Sequence, residues 1–336
     1  MSIIKKIGIM TGGGDCPGLN AALRAVVRYS SHLGIKVLGF RFGWKGVIEK
    51  DFETLDLNVV SGILPRGGTF LGSSRINPLE KKQWSARIKK NVSELGIEAF
   101  LVIGGDGTLR ATLELYEKEK LPFVAIPKTI DNDLMGTDQT FGFDTAVSIA
   151  TEAIDRIHTT AESHQRVMIV EVMGRDTGWI ATYAGIAGGA DFILIPEVPA
   201  TIGDVVAKIK ERYKRGKTFS IVVVAEGAVL YGIPKGKRVD DSIGKMLAHA
   251  LTQEMECEAR VTILGHVQRG GSPSAFDRIL ATRFGIAAKQ MAVEKKFGTM
   301  AALQGDKIVP IPLKNAVGQL KKCDLELYKI AQTFFG

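Results

Sequence analysis

Phe100 to Ala111 reads FLVIGGDGTLRA, and this stretch decides the fold. Phe100, Leu101, Val102 and Ile103 form an apolar run without polar alternation, as in a strand covered on both faces. Gly104 and Gly105 break the run with a tight turn, and the leucine-containing stretch after them reads as a helix. Asp106 is the single acid in that turn, placed among backbone amides at the start of a helix. Strand, glycine turn and helix in this order belong to a parallel α/β sheet. The turn is a place for an anion or a metal ion.

The same grammar runs along the chain. KIGIM, KVLGF, AFLVIG, PFVAIP, RVMIVEVM, DFILIP, FSIVVVAEG and RVTILG read as strands. Between them lie helical stretches such as PGLNAALRAVVRYSSHLG, with Pro17 suited to the first turn, and FDTAVSIATEAIDRIHTT. In the second, Ala146, Ile149, Ala153, Ile154 and Ile157 share one face. The expected fold is α/β, two doubly wound α/β domains with mainly parallel central sheets. In such sheets ligands bind beyond the carboxyl ends of the strands. TGGGD, GGDGT, PKTIDND, MGRDTG, AEG and GHVQRGGS all follow predicted strands. Ala228–Asp241 has no such pattern and reads as an exposed loop.

The bulk composition bounds the function. The 336 residues suffice for two domains, and 45% hydrophobic with 24% charged residues is a globular balance. A net charge of +8 suits an anionic partner without choosing one. The densest basic run, Lys208–Lys217, has helical spacing and reads as a solvated face. Cys16, Cys257 and Cys323 are dispersed and form no CxxC pair, which suits a reducing cytoplasm and argues against a cysteine zinc site. The apolar run near the N-terminus is too short for a signal-peptide core, and none approaches the ~18 residues of a membrane span. A cytoplasmic protein is expected, with no membrane partner.

Several clusters then carry chemistry. Thr11–Asn20 (TGGGDCPGLN) has the form of a phosphate loop, although Pro17 replaces the third glycine of a dinucleotide fingerprint. Gly216–Thr218 (GKT) is no P-loop, because Glu211 stands where the leading glycine belongs. Asp106 suits either Mg²⁺ bridging phosphates or a helix cap. In PKTIDNDL, Asp131 and Asp133 are spaced for a general base with a supporting carboxylate, or for an Asx turn. Arg166, Arg175, Arg260, His266 and Arg269 recur near strand ends and suit a phosphate monoester pocket at the active end of the sheet.

These motifs together resemble the 6-phosphofructokinases. GGDCPGLN, RGGTFLGSSR, GGDGT, TIDND, SHQR, EVMGR, IAGGADF and LGHVQRGGSP follow that family's pattern in order over nearly the whole chain. The resemblance implies a phosphofructokinase-like fold: a nucleotide-binding domain over residues 1–142 plus about 268–308, and a sugar-phosphate-binding domain over 143–267 plus about 309–336. It implies phosphorylation of fructose 6-phosphate at the 1-hydroxyl by ATP or pyrophosphate with Mg²⁺. By resemblance, Asp131 is the general base, Asp133 supports it, and Asp106 ligates Mg²⁺. Thr129 and Arg175 steady the transferring phosphoryl group. Gly13, Arg75, Gly105, Asp106, Gly107 and Thr108 hold the nucleotide. Thr129, Asp131, Met173, Gly174, Arg175, Glu226, His266 and Arg269 bind the sugar phosphate. Arg166 and Arg260 join them from a neighbouring subunit of a homo-oligomer, a dimer or tetramer.

Gly107 and Lys128 mark donor choice. Enzymes of the family that use pyrophosphate tend to read GGDD and PKTIDND; the common bacterial ATP enzymes read GGDG and PGTIDND. This chain is a hybrid with Gly107 and Lys128, and the room at Gly107 favours ATP. A lysine is compatible with either donor. Among the basic positions of the family's nucleotide-effector pocket, Arg24, Arg28, Arg215 and Lys217 match. Leu57 and His158 replace two others, and Asp191 stands at an acidic one, so weak or absent nucleotide activation is expected. Two other readings exist. NAD and lipid kinases share GGDGT but not TIDND, MGR and GHVQRGG. A polyanion-binding module would leave the strand-end carboxylates idle; no nucleic acid partner is expected.

Overall fold

The computed structural model describes residues 4–232, 242–255 and 257–336. In chain order the strands are β1 (Lys6–Thr11), β2 (Lys36–Phe40), β3 (Phe52–Leu55), β4 (Ala99–Gly104), β5 (Phe123–Pro127), β6 (Val167–Val172) and β7 (Phe192–Leu194). They continue with β8 (Ala200–Thr201), β9 (Ser220–Ala225), β10 (Leu230–Tyr231), β11 (Ala259–Ile263), β12 (Thr299–Gln304) and β13 (Lys307–Pro312). The helices are α1 (Leu19–Ser31), α2 (Trp44–Glu49), α3 (Lys82–Glu94), α4 (Asp106–Glu119) and α5 (Phe143–His164). After these come α6 (Trp179–Ala187), α7 (Ile202–Lys214), α8 (Ile243–Met255), α9 (Ala275–Val293) and α10 (Leu325–Gln332).

The chain divides into two compact units. The first is Met1–Asp144 with Arg269–Leu320; the second is Thr145–Gln268 with Lys321–Gly336. The last crossing lies at Leu320 and not near residue 308. Lys307–Pro312 is strand β13, paired antiparallel with β12 from Thr299 opposite Pro312 to Gln304 opposite Lys307, so it cannot leave the first sheet.

The first unit carries a seven-stranded sheet in the order β13-β12-β5-β4-β1-β2-β3. Its five middle strands are parallel, and the two edge strands run antiparallel to them. The register sets Ile9 opposite Leu101 and Leu101 opposite Val124, and β4 is buried throughout, as its unbroken apolar run requires. Phe40, Phe100, Phe123 and Trp44 form the aromatic centre of the core. Phe40 and Phe100 lie 5.2 Å apart, and Phe123 meets Phe100 edge-on at 5.7 Å. Helix α1 begins at Leu19, with Gly18 as its N-cap at φ 105°; Pro17 therefore precedes the helix instead of opening it.

The second unit carries a four-stranded, all-parallel sheet in the order β11-β6-β9-β7. Helix α7 opens on a capping box, Thr201 Oγ1 accepting from the Asp204 amide while Asp204 accepts from the Thr201 amide. Most of the basic run Lys208–Lys217 lies on the last turns of this helix. Of the stretch Ala228–Asp241, Leu230–Tyr231 is a short strand paired with β8, and residues 233–241 lie outside the described residues. Among the described residues no helix is long and apolar enough to cross a membrane.

Candidate active site

The glycine turns after β1 and β4 and the loop after β5 stand side by side, because those strands are neighbours in one parallel sheet. Hydrogen bonds carry the ladder past the strand ends: the Gly12 amide donates to Ile103 O at 2.8 Å, and the Lys128 amide to Gly104 O at 2.9 Å. Thr108 is packed against both turns. A Cβ on Gly12 or Gly104 would lie 2.7 or 2.5 Å from its side chain. The spacing of GGDGT thus serves packing.

Gly13 and Arg75 share a cavity of about 540 Å³, with Gly14, Asp15, Thr69 and Ser73 also on its wall. The loop that carries Arg75 is strapped to the first turn. Ser73 Oγ donates to Gly13 O, and Thr11 Oγ1 donates to Gly72 O at 2.9 Å. Buried Asn20 holds the same loop from α1. Its Nδ2 donates to Arg66 O and Gly67 O at 3.0 and 3.2 Å, and its Oδ1 accepts from the Phe70 amide at 2.9 Å. Asp15, Asn20, Thr69 and Ser73 lie inside quoted motifs, but no residue-level signal separated them from Arg75.

Asp106 is the first residue of α4, and Gly105 is its N-cap, so the acid lies at the positive end of the helix without capping it. Its Oδ2 is 2.8 Å from Arg110 Nε, and its Oδ1 accepts from the Gly318 amide at 3.3 Å. Gly107 is exposed, and a Cβ there would meet nothing within 4 Å. Neither backbone nor packing demands glycine at this position. Among the described residues no group of three or more His, Cys, Asp or Glu is placed to hold a metal ion alone. A single carboxylate in a glycine turn at a helix N-terminus fits Mg²⁺, which takes one or two protein carboxylates and completes its shell with phosphate and water.

After β5 the loop is tightly held. Asn132 adopts the left-handed conformation at φ 52°, which asparagine tolerates, and its Oδ1 accepts from the Thr140 amide at 3.2 Å. Thr140 Oγ1 donates to Thr129 O at 2.7 Å, and the Asp131 amide donates to Thr129 Oγ1 at 3.0 Å. Asp131 and Asp133 are each only 6% exposed. Lys128 is buried beneath the glycine turn, where its Nζ donates to Gly14 O. Burial pushes its ammonium pKa down; Arg269 pushes the same way, while Cys16, Asp131 and Asp15 oppose the shift. Arg269 Nη1 reaches across the same turn to Asp15 O at 3.2 Å.

The second unit gathers Met173, Gly174, Arg175 and Glu226 at the carboxyl ends of β6 and β9. Glu226 Oε1 accepts from the Gly174 and Arg175 amides at 3.3 and 2.8 Å. Gly174 has φ 147°, and Arg175 has φ 54° with its side chain largely exposed. A non-glycine residue held in that region stores strain, as functional turns often do. Met173 is half-buried, and His266 is exposed on the 3₁₀ turn Gly265–Arg269.

Arg166 and Arg260 do not join this group. Arg166 precedes β6 and Arg260 is the second residue of β11, so both lie toward the amino end of the sheet, roughly 20 Å and roughly 10 Å of strand from the carboxyl ends of β6 and β11. The expectation that these arginines share the active end of the sheet fails for strand polarity. They share Glu258 instead: Arg166 Nε is 2.6 Å from Oε2, Arg260 Nη2 pairs with Oε1, and the bond from Arg166 leads in holding the Glu258 carboxyl below its usual range. Asp191 is likewise engaged, 2.6 Å from Arg212 Nη1 and accepting from the Ile221 amide at 2.8 Å.

Comparison with known proteins identifies the family. The family model described as phosphofructokinase matches residues 6–292. The chain is 52% identical to a pyrophosphate–fructose 6-phosphate 1-phosphotransferase of Streptomyces coelicolor, covering 98% of this chain and all of the relative. It is 51% identical to ATP-dependent 6-phosphofructokinase 3 of the same organism, over 94% of this chain and 96% of that one. Among solved structures, the phosphofructokinase of Pichia pastoris in the T-state superposes with a TM-score of 0.83 at 34% identity, over 99% of this chain. The chain spans only 39% of that longer one. The pyrophosphate-dependent phosphofructokinase of Marinobacter aquaeolei gives 0.82 at 25% identity, over 96% and 86% of the two chains. With the family matched over most of its length and relatives at half identity, this chain belongs to the phosphofructokinase family.

Proposed function

We propose that this protein transfers the γ-phosphoryl group of Mg-ATP to the 1-hydroxyl of fructose 6-phosphate, giving fructose 1,6-bisphosphate. The observation that carries the reading is the alignment, at three adjacent strand ends, of the Gly13 turn, the Asp106–Gly107 turn and the Asp131–Asp133 loop. The first two turns and Arg75 bind the donor's phosphates. Bound Mg²⁺, held by Asp106 and donor oxygens, would neutralise charge on the phosphates. Asp131 takes the proton of the acceptor hydroxyl as it attacks phosphorus, Asp133 supports that carboxylate, and Thr129 steadies the transferred group. By the family resemblance, Arg175 contributes charge to the transfer, and Met173, Gly174, Glu226, His266 and Arg269 bind the sugar phosphate. Catalysis is positioning and charge neutralisation, with little covalent work for the protein.

Relatives named for pyrophosphate and for ATP are equally similar to this chain, at 52% and 51%. Overall likeness therefore does not select the donor. The vacant volume at Gly107 favours ATP, because a nucleotide needs room that pyrophosphate does not. Lys128 is occupied by Gly14 O and supports the phosphate turn under either donor. Arg166 and Arg260, remote from the carboxyl end of their own sheet, serve a neighbouring chain of a homo-oligomer. A grid of ATP and pyrophosphate against fructose 6-phosphate and other sugar phosphates tests the reading. Turnover is expected with Mg-ATP and fructose 6-phosphate, and faster turnover with pyrophosphate would reverse the donor assignment.

Nucleotide activation is expected to be weak or absent. The Asp191 carboxylate is committed to Arg212 and the Ile221 amide, and His158 Nε2 is bonded to Gly188 O at 2.8 Å, so these two groups are engaged within the chain. Saturation curves for fructose 6-phosphate at fixed ATP should superimpose with and without ADP. A leftward shift on adding ADP would show a working effector pocket.

A further inference from the structure

Arg110 lies in the opening stretch Phe100–Ala111, but no role is given to it above. It follows Gly107 by three residues and Asp106 by four, so all three lie on one face of α4. Helical side chains lean toward the N-terminus, which aims Arg110 at the glycine turn. Its side chain is 55% exposed, with Nε 2.8 Å from Asp106 Oδ2. The Gly318 amide holds the other oxygen of Asp106. Both oxygens of the expected metal ligand are thus engaged by donors of the chain itself.

We propose that Arg110 is a donor-binding residue that exchanges Asp106 for a phosphate oxygen when the Mg-bound donor arrives. The inference rests on the proposed function. A divalent ion at Asp106 would repel the guanidinium and take Oδ2 from it. The nearest negative charge is then the donor's phosphate chain, which the bare face at Gly107 leaves open. A planar guanidinium fork suits phosphate, and the neighbouring helix N-terminus adds to the local positive potential. As a mere surface pair, Asp106–Arg110 would contribute little to the fold. Its placement over the phosphate turn is what gives it a task.

The test is calorimetric titration of ATP, with and without Mg²⁺ and in the absence of sugar phosphate, into the unaltered chain and into Arg110→Ala and Arg110→Lys. Loss of one charge-assisted hydrogen bond predicts that Arg110→Ala weakens ATP binding by about 10- to 100-fold. Arg110→Lys should recover part of the loss, with the melting temperature and the KM for fructose 6-phosphate unmoved. ATP affinity in Arg110→Ala equal to that of the unaltered chain would overturn this inference alone, even if Mg²⁺ then bound more tightly at Asp106. Failure of the unaltered chain to bind ATP would overturn the functional reading, and this inference with it.

Discussion

Asp131→Asn should leave the KM for fructose 6-phosphate near the parent value while kcat falls by about 10²- to 10⁴-fold, the usual contribution of a general base. The amide is nearly isosteric with the carboxylate but cannot accept the hydroxyl proton. The substitution also spares the scaffold of the loop. The Asp131 backbone amide still donates to Thr129 Oγ1, Asn132 still accepts from the Thr140 amide, and Thr140 still holds Thr129 O. A melting temperature close to the parent's would show that the loop is intact. Asp133→Asn should cost less, because that carboxylate is assigned support and not proton transfer. Turnover near the parent rate in Asp131→Asn would remove this residue from the role of base. Equal losses in both variants would mean that the pair acts as one unit.

How far the sequence carries depends on which physical signal each element has. KVLGF and AFLVIG are apolar at nearly every position because their strands are covered on both faces, and the observed strands Lys36–Phe40 and Ala99–Gly104 coincide with them. FETL and the β12–β13 pair carry no such signal. Phe52–Leu55 is half-exposed at an edge, and β13 carries Pro310 and Pro312, which argue against a strand unless it too is an edge. That TGGGD, GGDGT and PKTIDND follow strands is legible because glycines and carboxylates interrupt the apolar runs of β1, β4 and β5. The misplacement of Arg166 and Arg260 has a different origin: a basic residue beside a strand does not reveal which end it occupies until the strand's start is known. Asn20 and Arg110 were opaque for a third reason. Each has an ordinary helical setting, and its partner becomes visible only when the loop or turn it touches is folded.

Gly107→Asp should depress the use of ATP far more than that of pyrophosphate, and should do so without unfolding the protein. The backbone sits in the first turn of α4, and a new Cβ meets nothing within 4 Å, so the variant has room. Replacing glycine within a helix removes an entropic cost of about 0.5–1 kcal/mol relative to alanine, and an acid near the N-terminus is favoured by the dipole. Stability should therefore hold or rise slightly. Donor binding is another matter. A carboxylate about 4 Å from a donor phosphate costs about 4 kcal/mol per unit charge at an effective dielectric near 20, or about 10³-fold in kcat/KM. Pyrophosphate, which has no α-phosphate or nucleoside to pass this position, should be spared most of that cost. Gly107→Ala separates size from charge: a small loss there beside a large one in Gly107→Asp assigns the effect to repulsion. If Gly107→Asp loses the same factor with both donors, the open face of α4 is not what selects the nucleotide, and the preference must come from another part of the first unit.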